Sequence, residues 1–455
     1  MRASLGRLAP PDLPCWPAGA YLVGGAVRDL LIGLRPGDFD FATPRPREAA
    51  AACAAAVGGP LFPLDAERGF WRVAGPGVTY DFGPLASDLA AELLRRDYTA
   101  NALALSRRGA LFGPEIALHD VRRGVLRAVS RANLREDALR PLRGWRLWVT
   151  RGLRPEPRTR ALILAEASYQ RFGRRPAAER VRQELEQVMA HRRAAWGFAK
   201  LHELGLDAVY LREWAAGAGV VQLGYHHLDV LDHQLEALHQ LLTRFPEAPS
   251  ALRWAALLHD VAKPLVRQWD PERGYYRFLE HDADGAALAA EMLRRLRFSG
   301  ELARRVGSLV RHHMKLPPAS PRGLRRWLHR NRVLLPDLLQ LQIADRAATR
   351  GPLAVANERR LENLEEALAA ATALAAAGSE PPLLRGSDLI NELGFAPGPL
   401  VGRALRALAE ARALGDVTDR EEALEFVRWW YETETAGPER PANTRRRRPE
   451  RPAGD

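Results

Sequence analysis

Gly24-Gly25-Ala26-Val27-Arg28-Asp29, followed by Gly37-Asp38-Phe39-Asp40-Phe41, is the stretch that decides how this chain is read. Phe39, Phe41 and the apolar residues before Gly24 mark both flanks as strands. Strand side chains alternate between faces, so Asp38 and Asp40 point the same way. Two carboxylates so spaced can bridge divalent cations, and such a pair organises attack of a hydroxyl on a phosphoryl group. The Gly24-Gly25 turn lets backbone N–H groups approach an anion and opens a helix whose positive end favours phosphate. Arg28 falls in the first turns of that helix, near any triphosphate. Alone, Asp-x-Asp is most often a solvated strand edge and Gly-Gly a turn. Their order, and a second motif downstream, make them specific.

That second motif is Arg95-Arg96-Asp97-Tyr98-Thr99-Ala100-Asn101-Ala102, between the amphipathic run 87–94 and a strand-like 102–105. It reads as a helix carboxy terminus with Arg at the negative dipole end, or as a nucleotide site. In the second case Arg96 binds phosphate, Asp97 bonds a ribose hydroxyl and Asn101 fixes the loop or the phosphates. A third segment, Arg135-Glu136-Asp137-Ala138-Leu139-Arg140, opens a helix carrying Leu142, Trp145, Leu147 and Trp148. Three apart, Asp137 and Arg140 are expected on one helical face. They form either a surface ion pair worth under about 1 kcal/mol or a carboxylate-and-guanidinium reader of a nucleobase edge.

G-G-A-V-R-D-L-L-I-G, D-F-D, R-R-D-Y-T-A-N-A and E-D-A-L-R, in this order, resemble class II tRNA nucleotidyltransferases. These are the bacterial CCA-adding and poly(A) polymerase family within the polymerase-β-like nucleotidyltransferases. The likeness spans roughly residues 18–190, because Ala178-Glu179-Arg180-Val181-Arg182-Gln183-Glu184-Leu185 resembles the family's neck motif. It implies addition of C and A to the tRNA 3′ end from CTP and ATP without a template, the protein selecting the base. By the same resemblance Asp38 and Asp40 would hold Mg²⁺, with Asp81 at the place of a third acidic strand residue. Gly24, Gly25 and Arg28 would hold the triphosphate, Asp97 the ribose, Asp137 and Arg140 the base. Members that add the whole of CCA carry a flexible basic loop after the acidic strand. Here the interval from Asp81 to Arg95 is short, which resembles the CC-adding subtype.

A second constellation lies further on. Of twelve histidines, eight fall between Tyr225 and His313. Imidazole suits transition metals, and His259-Asp260 at the end of an apolar helix can place both side chains on one ion. His233, His259-Asp260 and Asp345, in this order, resemble the HD metal-dependent phosphohydrolase superfamily over about 225–350. The resemblance implies a divalent transition metal and hydrolysis of 2′,3′-cyclic or terminal phosphate on RNA ends. Lys263, His281 and His312 or His313 sit where two-metal members place further residues. A fold that keeps these residues only for packing is the plainer reading.

Length sets about two to four domains with real cores. The formal net charge is +12, carried almost wholly by Arg, as expected of a partner for RNA. No apolar run approaches a membrane span, and the amino terminus lacks a charged-then-apolar signal pattern. Cys15 and Cys53 give no disulfide framework and no zinc spacing, which fits a reducing cytoplasm. The expected fold is multidomain and mainly α. An α/β polymerase-β-like head (1–130) leads into a helical neck (131–215), an HD domain (216–350), C-terminal helices (351–435) and a disordered basic tail (436–455). The rival readings are a stand-alone HD phosphodiesterase whose head only binds RNA, a poly(A) polymerase, and a basic RNA-binding scaffold. Oligomeric state has no signal in the sequence.

Overall fold

The computed structural model describes residues 4–85, 88–173, 175–354, 357–376 and 381–435; the tail at 436–455 lies outside them. Contacts divide the chain into two compact units, 1–314 with 340–361, and 315–339 with 362–455.

The first unit opens with β1 (Gly6–Arg7), β2 (Tyr21–Val23), α1 (Gly25–Leu31), β3 (Asp38–Thr43) and α2 (Pro46–Val57). Then come β4 (Leu61–Asp65), β5 (Phe70–Gly75), β6 (Val78–Pro84), α3 (Leu89–Leu94), β7 (Ala104–Ser106), β8 (Ala110–Phe112) and α4 (Glu115–Arg123). The strands form one sheet of order β1-β8-β7-β2-β3-β6-β5-β4. β3 and β6 run parallel, with Asp38 opposite Thr79 and Asp40 opposite Asp81. Alternation sets the two faces of this pair. Phe39, Phe41, Tyr80 and Phe82 are buried, and the rings of Phe41 and Phe82 stack at 5.5 Å. The aspartates are thereby turned to the opposite face. Pro46 starts α2 and Gly58, at φ 68°, ends it. Cys53 on its buried side is disulfide-bonded to Cys15, with Cα atoms 5.1 Å apart. This corrects the expectation from spacing, since the packing of α2 joins two cysteines 38 residues apart.

The chain continues through β9 (Val125–Leu126), α5 (Arg131–Glu136), α6 (Arg140–Arg151), β10 (Arg154–Pro155) and α7 (Pro157–Phe172). α8 (Ala178–Met189), α9 (Ala194–Glu203), α10 (Asp207–Tyr210) and α11 (Arg212–Ala215) follow. One expectation changes here: Asp137 and Arg140 do not share a helix. Asp137 is extended and ends α5, whereas Arg140 starts α6. Pro141, in the first turn of α6, has no N–H to continue a preceding helix and favours a fresh start.

Next come α12 (Val230–Arg244), α13 (Ser250–Leu258), α14 (Lys263–Val266), the hairpin β11 (Arg267–Asp270) and β12 (Tyr275–Phe278), α15 (His281–Arg295) and α16 (Gly300–His312). The hairpin interrupts the helical pattern expected after Asn133. Phe198 on α9 packs edge-on against Trp145, Trp214 and Trp254, so one aromatic cluster joins α6, α9, α11 and α13. α17 (Pro321–Asn331) belongs to the second unit, and α18 (Asp337–Ala348) brings the chain back to the first. α19 (Asn357–Ala376), α20 (Gly386–Asn391), α21 (Pro399–Leu414) and α22 (Arg420–Thr435) complete the described chain. The second unit has its own core around Leu389, Phe395, Leu408 and Val427. Among the described residues, no helix is long and apolar enough to cross a membrane.

Candidate active site and metal centre

A cavity of about 530 Å³ opens between the head and the neck helices α6 and α8. Gly24, Gly25, Arg28, Asp38, Asp40 and Asp81 line it, and so do Arg96, Asp97, Asn101 and Arg140. Asp137 stands off its wall. Gly24 is needed here because its φ is 74°, and its open side faces Arg96 Nη1 and Asp40 Oδ2. Burial pushes the Asp40 carboxyl up, Arg96 opposes this, and Asp81 and Asp38 push it further up. A carboxylate crowded by two others is a place where a cation relieves repulsion, so the donor set fits a hard divalent ion. Asp38 accepts a short hydrogen bond from the Thr79 hydroxyl. Asp81 takes Arg72 in a fork at 2.7 and 2.7 Å.

The arginines differ in how free they are. Arg96 Nε is buried without a hydrogen-bond partner, while its Nη2 lies 3.5 Å from Glu92. Asn133 donates to the carbonyls of Leu94 (2.8 Å) and Arg96 (2.6 Å), which ties the Arg96 loop to α5. Arg28 donates to Asp29 at 2.8 Å and to Asn101; burial lowers its pKa, against the pull of Asp29. Asp97 is fully engaged: it accepts from the Tyr98 N–H (2.8 Å), Asn101 Nδ2 (2.8 Å) and Arg143 Nη1 (3.0 Å). Burial would raise its pKa, but Arg143 and these hydrogen bonds hold it below the usual carboxylate range. Arg143 also reaches Glu184, at 3.8 Å. Sequence reading missed Arg72 and Arg143. Arg143, three residues beyond Arg140 on α6, had a helical-spacing signal; Arg72 had none.

The segment expected to read the base is tied to the neck motif. Asp137 takes Arg180 of α8 at 2.6 and 3.2 Å. Burial works to raise its pKa, and the Arg180 and Leu139 hydrogen bonds lower it overall. Arg140 pairs with Glu136 at 3.0 Å and donates to the Asn133 carbonyl at 2.6 Å.

The histidine cluster gathers on α12, α13, α15, α16 and α18. Two groups have ligand-type atoms within 4.8 Å of one another: His233, His259 and Asp345, and Asp260, His281 and His313. His233 Nε2 lies 3.0 Å from Asp345 Oδ1, and His259 Nε2 lies 3.2 Å from Asp260 Oδ2. Lys263 reaches Asp260 at 2.6 Å and donates to Gln222 at 2.6 Å. The Nδ1 atoms of His259, His281 and His313 face the carbonyls of Ala256, Phe278 and Val310 at 2.9, 2.7 and 2.6 Å. For His281 and His313, donation there leaves Nε2 as an acceptor, the arrangement that orients imidazole ligands. Asp260 Oδ1, His281 Nε2 and His313 Nε2 are buried without hydrogen-bond partners. Buried polar atoms are rarely left unmatched, so these residues fit a metal ion. His312 is a correction: its Nδ1 faces the Ser308 carbonyl at 2.9 Å, outside both groups. α16 ends at His312, and one further residue turns His313 inward. Burial works against the charged form of His259, yet Asp260 and Asp345 hold its pKa up at about 10.

A glycine turn over an acidic strand pair, joined to helices that carry a histidine–aspartate cluster, defines a nucleotidyltransferase head linked to an HD domain. The Poly A polymerase head domain model matches residues 20–70 and the HD domain model residues 221–350. The A-adding tRNA nucleotidyltransferase of Deinococcus radiodurans is 48% identical, over 94% of this chain and 99% of its own. The CC-adding tRNA nucleotidyltransferase of Thermus thermophilus is 44% identical over 93% of this chain and 96% of its own. The CCA-adding enzyme of Bacillus stearothermophilus, solved with CTP, shares the fold with a TM-score of 0.61 and 23% identity, over 92% of this chain and 94% of its own. The chain belongs to the bacterial tRNA nucleotidyltransferase family.

Proposed function

We propose that this enzyme extends the 3′ end of tRNA with C, A or both, using CTP and ATP, with Mg²⁺ held by Asp38 and Asp40. The observation that carries this reading is the single cavity gathering both aspartates, the Gly24 turn, Arg28 and the unmatched Arg96 Nε. The terminal hydroxyl oxygen bonds to the α-phosphorus, the bond to the β-phosphate bridging oxygen breaks, and pyrophosphate leaves. The hydroxyl proton passes to solvent. Bound Mg²⁺ would acidify that hydroxyl and neutralise the phosphates. Arg96 and Arg28 receive the triphosphate, and the Arg143–Asp97–Asn101–Arg28 chain keeps the ribose side of the pocket rigid. Asp137 and Arg140 read the base, with the Arg180 fork holding the Asp137 carboxylate in its orientation. The cytoplasm goes with this reading as compartment.

The short interval after Asp81 favours stopping at CC, while the more similar of the two relatives above is named A-adding. Purified protein, given tRNA ending before CCA, after C or after CC, with each NTP in turn, separates these on a sequencing gel. Two C additions and a stop give the CC-adding activity, and ATP use on tRNA ending in CC gives A addition. Indifference to tRNA would sink both.

The unmatched donor atoms around Asp260 support a second activity, hydrolysis of 2′,3′-cyclic or terminal phosphate on RNA ends. His233, His259, Asp260 and Asp345 would hold a divalent transition metal, with His281 and His313 beside it. Such an ion would supply hydroxide from bound water and polarise the phosphate. For a cyclic phosphate, water oxygen bonds to phosphorus, one ring P–O bond breaks and the freed ribose oxygen takes a proton. Chelation should abolish this hydrolysis and added Mn²⁺ restore it; retention in metal-free protein would refute the assignment.

A further inference from the structure

We propose that the β11–β12 hairpin is a stacking platform that receives the single-stranded 3′ end of RNA and leads its terminal phosphate to the His–Asp cluster. The proposal rests on the phosphohydrolase reading of that cluster and names its substrate class. In the ladder Trp269 is opposite Tyr276 and Arg267 opposite Phe278. Alternate residues share a face, so these four side chains lie together on one side of the ribbon. The rings of Trp269 and Tyr276 meet edge-on with centroids 4.9 Å apart. The Arg267 guanidinium lies 3.6 Å above the Tyr276 ring, and Lys263 Nζ lies 5.3 Å from the Phe278 centroid.

The inner end of this row is fixed to the cluster twice. Lys263 pairs with Asp260 at 2.6 Å, and the Phe278 carbonyl faces His281 Nδ1 at 2.7 Å. The outer end is open, with Trp269 52% exposed. Half of Trp269 stays in water although the ring pairs with Tyr276, which leaves aromatic surface open to a ligand. Rings interleaved with cations suit a strand whose bases offer π-faces and whose backbone is anionic. A paired stem hides its base faces, and a free phosphate needs only the cluster. An unpaired RNA end needs both.

The test uses full-length protein, Mn²⁺ and two substrates. One is a short single-stranded RNA with 5-iodouridine beside a 3′-terminal 2′,3′-cyclic phosphate; the other is bis(p-nitrophenyl) phosphate. Irradiation should cross-link the RNA to the peptide containing Trp269 and Tyr276. Trp269→Ala with Tyr276→Ala should raise KM for the RNA about tenfold to a hundredfold. Hydrolysis of the small ester and nucleotide addition should stay within about twofold, and Trp269→Phe should recover most of the RNA affinity. Equal loss on both substrates would mean the hairpin only supports the cluster, and overturns the platform. Cross-links confined to other peptides overturn it as well. If neither substrate is hydrolysed, the phosphohydrolase reading fails, and the cross-link alone still decides whether RNA lies on the hairpin.

Discussion

At Asp40, burial and the facing carboxylates of Asp81 and Asp38 all disfavour the charge the proposed chemistry requires, with Arg96 and Arg143 in opposition. Function and stability therefore pull apart at this position. Asp40→Asn keeps the shape and removes the charge, so nucleotide addition should fall by on the order of 10³-fold. In metal-free buffer the melting temperature should hold or rise; a marked fall would show that Asp40 is structural. Arg180→Ala tests the neighbouring claim about the base. Freed from its fork, Asp137 should hold its orientation less well, and discrimination between CTP and ATP in single-turnover incorporation should drop about tenfold. Unchanged discrimination would separate Asp137 from base reading. Alternation and turn chemistry made Asp38, Asp40 and Gly24 legible in the sequence, because their placement is decided within a few residues. Arg72 was not legible. Its partner Asp81 lies directly opposite on the next strand, and no local pattern shows which long side chain will cross a ladder. His313 differs from His312 only by the last step of α16, finer than periodicity resolves.

Among the elements, α6 lines the cavity with Arg140, Arg143, Arg146 and Arg151, and its close approach to the head depends on Gly144. A Cβ at Gly144 would lie 2.1 Å from the Tyr98 Oη, which donates to the Arg140 carbonyl at 2.8 Å. Alanine would gain about 1 kcal/mol in helix propensity. The ring is buried and has no room to shift, and overpacking of this kind costs about 1–3 kcal/mol. Gly144→Ala should therefore lower stability in a urea melt, and Gly144→Ala with Tyr98→Phe should recover part of the loss. A stabilised single variant would contradict this packing. Helices were legible from apolar spacing, as at Leu142, Trp145, Leu147 and Trp148 of α6. The break between α5 and α6 was not, since Asp137–Arg140 has good helical spacing and the break depends on Pro141 together with the Asp137 side chain accepting from Leu139 N–H. The β11–β12 hairpin was missed because its strands are only four residues each, too short for alternation to stand out.

For the whole molecule, only contacts show that 340–361 belongs with 1–314. Asp345 reaches the histidine cluster after the chain has passed through the second unit at 315–339, a return that periodicity does not encode. Within the first unit, the neck and the helices of the cluster are also joined by charge. Glu213 of α11 takes Arg295 of α15 in a fork at 2.6 and 2.7 Å. Burial acts to raise the Glu213 pKa, but Arg295 and Arg212 outweigh it and bring it from the ordinary 4.5 to about 2. A carboxylate with a lowered folded pKa stabilises fully above its unfolded value and loses that contribution as pH falls toward the folded one. The window is therefore pH 4.5 down to about 2. The Arg295 side chain is 38% exposed, so solvent screening reduces the effect to about 1 kcal/mol. Glu213→Gln should cost about that much at pH 7, and the difference from the parent should shrink as pH falls through 3.5. Urea midpoints at the two pH values measure it. A gap that stays constant, or widens in acid, would show that Glu213 contributes by packing and not by its charge.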